Sequence, residues 1–248
     1  MTEAGSIRTV DTSPARTIPA FYRLLLRGQL TRGRIAGLVA LAAIAVLFAG
    51  LSRVSDDPVD AALFTVADYA VSLLVPLAAV MIASPMFGNL VEDRLLVYLW
   101  LKPPPRWHIA VAALSAVTSA LLPVTLLPVL ASVLITGELG LLWPAALATV
   151  LGVLAYSGLY LWLGLRFNWG LWLGLLYLAL WENTIARFGD GPARFSLRSY
   201  LVTIVEWGTD REIGLADRAS WAAVCVPLAV AVASVVLVAW TLRSRDVD

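Results

Sequence analysis

Cysteine, histidine and lysine each occur once in this 248-residue chain, as Cys225, His108 and Lys102. A single cysteine excludes an internal disulfide framework and a cysteine metal cluster. A single histidine excludes a His-Glu-x-x-His zinc site, and the single lysine stands before three prolines, so there is no G-x-x-x-x-G-K-[ST] phosphate loop. The chain itself therefore reads as a non-enzyme, with no catalytic residue, metal or cofactor of its own. Charge is scarce too, at 14% of residues, where a soluble domain carries about 25%. The N-terminus is polar and lacks the short apolar stretch and small-residue cleavage site of a removable signal peptide.

What is abundant is oil. Hydrophobic residues make up 60% of the chain, ten residues are tryptophan, and mean hydropathy is +0.84. That balance predicts an all-α polytopic membrane protein, because a membrane helix needs about 20 mostly apolar residues. Six stretches qualify, at about 35–51, 61–86, 107–135, 141–163, 169–185 and 221–242. Several contain proline, which membrane helices tolerate where neighbours re-satisfy the freed carbonyl.

Basic residues orient the spans. Arg8, Arg16, Arg23, Arg27, Arg32, Arg34, Arg94, Lys102, Arg106, Arg166, Arg243 and Arg245 fall on one side. Arg53, Arg187, Arg194, Arg198, Arg211 and Arg218 fall on the other with most of the acids. The positive-inside rule makes the first side cytoplasmic, with both termini there. Arginine in place of lysine, with abundant alanine, fits a GC-rich bacterial genome, so the predicted location is a bacterial inner membrane. Residues 1–16 read as a disordered tail. Residues 17–34 read as an amphipathic helix in the interface plane, with Phe21, Leu24 and Leu25 on one face and Arg23, Arg27 and Arg34 on another.

Between the second and third spans lies "NLVEDRLLVYLWLKPPPRWHIA". Leu90, Val91, Leu95, Leu96 and Leu99 follow helical spacing around the charged Glu92, Asp93 and Arg94, which predicts a short surface helix over 89–102. Pro103, Pro104 and Pro105 end it, since proline lacks the amide donor and clashes with the preceding turn. This segment resembles the coupling helix of type-2 permeases of ABC exporters, whose pattern is E-x-x-G-T-L-x-x-L-L-x-x-P-x-x-R. Leu96, Leu99, Trp100, Pro103 and Arg106 fall on that pattern and Glu92 is read onto its glutamate one place late, while Arg94-Leu95 replaces the family's Gly-Thr. The N-terminal helix, six spans, cytoplasmic termini and a long outer segment match the family's layout too.

The resemblance implies the transmembrane half of an ATP-driven exporter. Its partners would be a second permease half, identical or related, and two copies of a cytoplasmic ABC ATPase that carry the ATP and Mg. Membrane lipid would surround it, and nucleic acid has no part. Lipophilic or amphipathic cargo suits the apolar, aromatic spans. The alternative is a non-transporting scaffold or anchoring subunit of an envelope complex.

Residues 182–219 form the outer segment. In "FSLRSYLVTIVEW" Leu197, Tyr200, Leu201, Ile204 and Val205 share one helical face, with Ser196 as a candidate N-cap. Such a helix either lines the exit or rests on lipid. Glu182 ends the fifth span, and an acid near membrane depth is a functional hypothesis by default. It would bind a cationic group of the substrate or latch an outer gate through Arg187 or Arg194; alternatively it sits at the headgroup level. Asp68 is read the same way. Trp162, Trp169 and Trp181 fit interfacial belts, whereas Trp172 and Tyr177 lie deeper, as candidate pathway residues. Ser157 reads as a packing serine rather than a nucleophile, because His108 starts a different span near the cytoplasm.

Overall fold

The computed structural model describes residues 14–29, 31–52, 57–87, 105–209 and 219–244. The segment from Glu92 to Pro103, with Asp93, Arg94, Leu96, Leu99 and Trp100, lies outside the described residues, as do most of the N-terminal tail and residues 210–218. Among the described residues every regular element is helical. The main helices are α1 (Pro14–Gln29), α2 (Arg32–Ser52), α3 (Val59–Ala83), α4 (Arg106–Thr136), α5 (Leu142–Arg166), α6 (Gly170–Glu182), α7 (Leu197–Glu206) and α8 (Ser220–Ser244).

Five of these, α2, α3, α4, α8 and α5 with its leading turn, are long and apolar enough to cross a membrane. Their outward faces are apolar as well: Val39, Leu47 and Leu51 on α2, and Val232 and Val236 on α8, are all exposed. Exposed tryptophans cluster near helix ends, with Trp107, Trp169 and Trp240 at the end bearing Arg106, Arg166 and Arg243, and Trp143 and Trp221 at the opposite end. Apolar flanks between two aromatic girdles suit a membrane-embedded protein.

Helix ends follow from local chemistry. Asp57 caps α3, accepting bonds from the amides of Val59 and Asp60, and Pro58 sits at a first-turn position where its missing N–H costs nothing. Gly137 stops α4 in the left-handed region at φ 86°, a conformation without steric cost only for glycine. α4 tolerates Pro123 and Pro128 in its interior; Ser132 Oγ donates both to Pro128 O at 2.7 Å and to Ala45 O of α2 at 3.3 Å. α1 lies along α4, burying Leu25 and donating from Tyr22 Oη to Ser119 Oγ at 3.0 Å.

α5 is the central helix, packed by α3, α4, α6, α7 and α8. Small residues make this crowding possible. A Cβ on Gly164 would lie 1.9 Å from the carbonyl oxygen of Ser84, beyond α3, and one on Gly158 would lie 2.8 Å from Ser234 of α8. Both positions therefore need hydrogen in place of a side chain, as close membrane-helix approach generally does.

Two stretches are π-helical, Phe64–Leu74 within α3 and Tyr177–Glu182 closing α6. The first ends just before Pro76, whose missing amide would otherwise serve the carbonyl of Ser72. Ser72 Oγ itself reaches back five residues to Ala67 O. The second ends with Asn183 N and Asn183 Nδ2 both donating to Leu178 O. Such wide turns displace side chains from α-helical register and occur often at functional sites.

Candidate functional site

α6 does not cross the bundle. Its seven α-helical and six π-helical residues reach about 20 Å at most, against an apolar thickness of about 30 Å. Its path along α5 is marked by close approaches: Gly170 to Gly164, then Gly174 to Tyr160 and Val80. It ends at Glu182, beside Tyr156. The chain then makes short turns through Ile185–Arg187 and Asp190–Ala193. α7 resumes the course along α5, with Leu201 against Gly152, and Gly208 just beyond it against Gly140 and Pro144. Trp207 meets Trp143 there, ring centroids 5.7 Å apart. α6 and α7 thus form one interrupted traverse, with the break part-way along α5.

Glu182 sits at the break and is fully buried. Tyr177 Oη donates to its Oε1 at 2.6 Å and Leu197 N to the same oxygen at 3.0 Å. Ser196 Oγ donates to Oε2 at 2.5 Å and Arg198 N to it at 3.2 Å. Four donors on two oxygens is an acceptor-only pattern, the one an ionised carboxylate offers. Two of the donors are first-turn amides of α7, so the carboxylate also faces the positive end of that helix's dipole. Ser196 is the N-cap, accepting from Ser199 N.

The bond from Arg198 is made by its backbone; its guanidinium turns elsewhere. Nη2 meets Asp68 Oδ1 on the π-helical part of α3 at 2.6 Å, with Arg198 4% and Asp68 34% exposed. α7 is thereby tied to α6 through Glu182 and to α3 through Asp68. Both acids stand on π-helical turns, and both tie points lie in the first two residues of α7.

Of the predicted site residues, Glu182, Tyr177 and Asp68 come together around the N-terminus of α7. Trp181 and Tyr200 lie at its edge: Trp181 Nε1 donates to Phe195 O, and Tyr200 Oη to Arg194 O. Trp172 stands apart, 67% exposed on the outer face of α6. Arg106 opens α4 at the opposite end of the bundle. Among the described side chains the arginine that joins the site is Arg198, while Arg194 is exposed and the side chain of Arg187 lies outside the described residues. Ser157 and His108 are buried, and neither Ser157 Oγ nor His108 Nδ1 makes a hydrogen bond among the described residues.

Sequence reading passed over Ser196 as a ligand of Glu182, counted Arg198 only among the outer-side basic residues, and gave Tyr156 and Tyr160 no role. One signal was present: Arg198 follows two residues after a helix-capping serine inside an apolar helix, where a charge needs a partner. α7 also differs from a one-faced amphipathic helix. Leu197, Arg198, Ser199, Leu201, Val202, Thr203, Ile204 and Val205 are all buried, which the Asp68 pairing of Arg198 permits on the polar side. Comparison with protein-family models, with curated proteins and with solved structures gave no match.

Proposed function

We propose that this chain is the transmembrane subunit of an ATP-driven exporter of lipophilic or amphipathic molecules. The observation that carries the reading is the break between α6 and α7, with a buried carboxylate at a helix N-terminus inside the bundle. Interrupted helices whose termini meet charged groups deep in the membrane are how transporters build sites and gates. A passive anchor has no need of them. In this reading α7 is a movable outer element, held by Glu182 on one side and Asp68 on the other. The pathway lies between two permease halves, and the outward Trp172, Leu176 and Leu180 of α6 line this chain's share of it.

Coupling rests on the charged, proline-terminated segment before α4. Glu92, Asp93, Arg94, Leu96, Leu99 and Trp100 would receive the push of a separate ABC ATPase, with Pro103 and Arg106 passing it into α4. Both termini and this segment would then be cytoplasmic, in a bacterial inner membrane. One observation favours the scaffold instead: Glu182 has its donors within its own chain, as a purely structural staple would.

The test is purification of the tagged chain from its native membranes in mild detergent. A stoichiometric P-loop ATPase, lost when Glu92 and Arg94 are charge-reversed in a protein that still folds, is the expected result. An intact complex that contains other envelope proteins and no ATPase would sink the exporter and leave the scaffold.

A further inference from the structure

The break between α6 and α7 puts an irregular stretch of chain on the outside of the bundle, at a depth that lipid does not accept. Tyr156, beside Glu182, precedes the end of α5 at Arg166 by ten residues and follows its start at Leu142 by fourteen. At about 1.5 Å per residue that is about 15 Å from one end and about 21 Å from the other, well inside an apolar layer about 30 Å thick. Residues 183–196 leave and return at this level. Leu197 N donates to Glu182 Oε1, and Thr184 Oγ1 donates to Ala179 O of α6. Trp181 Nε1 donates to Phe195 O, and Tyr200 Oη of α7 to Arg194 O.

This stretch shows polar and aromatic groups side by side. Thr184, Gly191 and Arg194 are exposed, and Phe188 and Phe195 are 82% and 75% exposed. Its helical turns, Ile185–Arg187 and Asp190–Ala193, have three and four residues. Turns that short bond few of their own amides and carbonyls, because terminal N–H and C=O groups of a helix have no internal partner. Irregular backbone at membrane depth is tolerated only where protein buries it or a water-filled cavity surrounds it. An arginine at that depth obeys the same limit. Either setting needs a second protein wall, and no described element of this chain lies over these exposed residues.

The composition of the patch points to what that wall is. Aromatic residues and arginine are the types that protein interfaces concentrate. Arg194 offers a cation and Phe188 and Phe195 offer ring faces, the two halves of a cation–π pair. A two-fold interface sets one patch against itself, so it needs such self-complementarity. We propose that a second copy of this chain covers residues 184–195, packing break against break about a two-fold axis. The inference goes beyond the exporter reading and rests only on the membrane-embedded fold, since a scaffold built this way needs the same cover.

The experiment is electron paramagnetic resonance on the full chain in lipid vesicles, with the single cysteine removed by Cys225→Ser. A nitroxide label is then placed at one site at a time through Thr184→Cys, Gly191→Cys, Leu127→Cys or Val232→Cys, all exposed positions. A Cβ at Gly191 meets nothing within 4 Å, so the label fits there without disturbing the fold. α5 stands between α6 and the helices α4 and α8 that carry Leu127 and Val232. With helices about 10 Å across, the label-to-label distance between copies is expected to be roughly 20 Å shorter at 184 and 191 than at 127 and 232. Absence of inter-copy coupling at all four sites overturns the proposal. So does a shortest distance at Leu127 or Val232. The readout involves no ATPase, so this inference and the exporter reading can fail separately.

Discussion

Replacing Glu182 by glutamine keeps the shape of the side chain and removes one acceptor. Each oxygen of the carboxylate serves one hydroxyl and one backbone amide: Tyr177 with Leu197 N, and Ser196 with Arg198 N. Whichever way the new amide points, the hydroxyl on that side can rotate and accept from it. The backbone N–H cannot. Glu182→Gln therefore orphans one first-turn amide of α7 and removes the charge that faces its dipole. Bonds between membrane helices average about 0.6 kcal/mol and reach ~1.7, while an unsatisfied buried donor costs about 1–3 kcal/mol. The expected loss is about 1–3 kcal/mol on those figures. Glu182→Ala, which vacates all four bonds, should lose roughly 2.5–6 kcal/mol on the same scale. For a domain of this size each kcal/mol lowers Tm by about 2–4 °C, so the glutamine variant should melt about 2–12 °C early in nanodiscs. Hydrogen exchange should locate the damage, with protection falling first in α7 and residues 183–196 while α4 and α5 hold. A glutamine variant that melts within about 1 °C of the parent, with α7 protection unchanged, would refute the staple at the break.

Asp68→Asn should remove the carboxylate charge that meets Nη2 of the buried Arg198 guanidinium. The cost should be about 1–3 kcal/mol, below the 3–5 typical of a fully buried pair because Asp68 is a third exposed. A thermal-melting cycle over Asp68→Asn, Arg198→Gln and the double variant checks it, since a paired interaction makes the double change milder than the two singles combined. Ser196→Ala removes an N-cap and a ligand of Glu182 at once and should cost about 1–2 kcal/mol by denaturant or heat. Gly164→Ala sets a methyl group against the backbone of Ser84. Because neither partner is a flexible side chain, destabilisation of about 1–3 kcal/mol, or loss of the folded fraction in detergent, is expected on size-exclusion chromatography.

Much of this architecture is legible in composition and spacing. The apolar stretches at 35–51, 107–135 and 221–242 fall within α2, α4 and α8 to a few residues, because a run of about 20 apolar residues has few other uses. Ser196 as a cap was readable from its residue type and place before an apolar helix. The 169–185 stretch misled for a physical reason. Hydropathy counts apolar residues but does not register where a helix ends inside a bundle, and "GLWLGLLYLALWE" has no proline or glycine near its C-terminus to stop it. What ends α6 is tertiary: the π-helical turn over Tyr177–Glu182 and the α7 amides that take its last carboxylate.

The same reasoning explains why Glu182 and Asp68 could be singled out while their partners could not. A lone acid in an apolar setting announces a need, and two such needs were visible in the sequence. Their answers lie at separations of 15 and 130 residues, in Leu197 and Arg198. Local periodicity does not reach that far. A sequence also shows side chains and says nothing of free backbone amides, which supply half of the bonds to Glu182. The first turn of a helix always has such amides to offer, so any buried acid followed within about 15 residues by a capped helix is a candidate for this arrangement. Had α7 rested on lipid, its first-turn amides would have faced headgroups and water, and Glu182 would have needed an arginine. Because α7 enters the bundle, the helix itself takes that role, and Arg198 is left for Asp68.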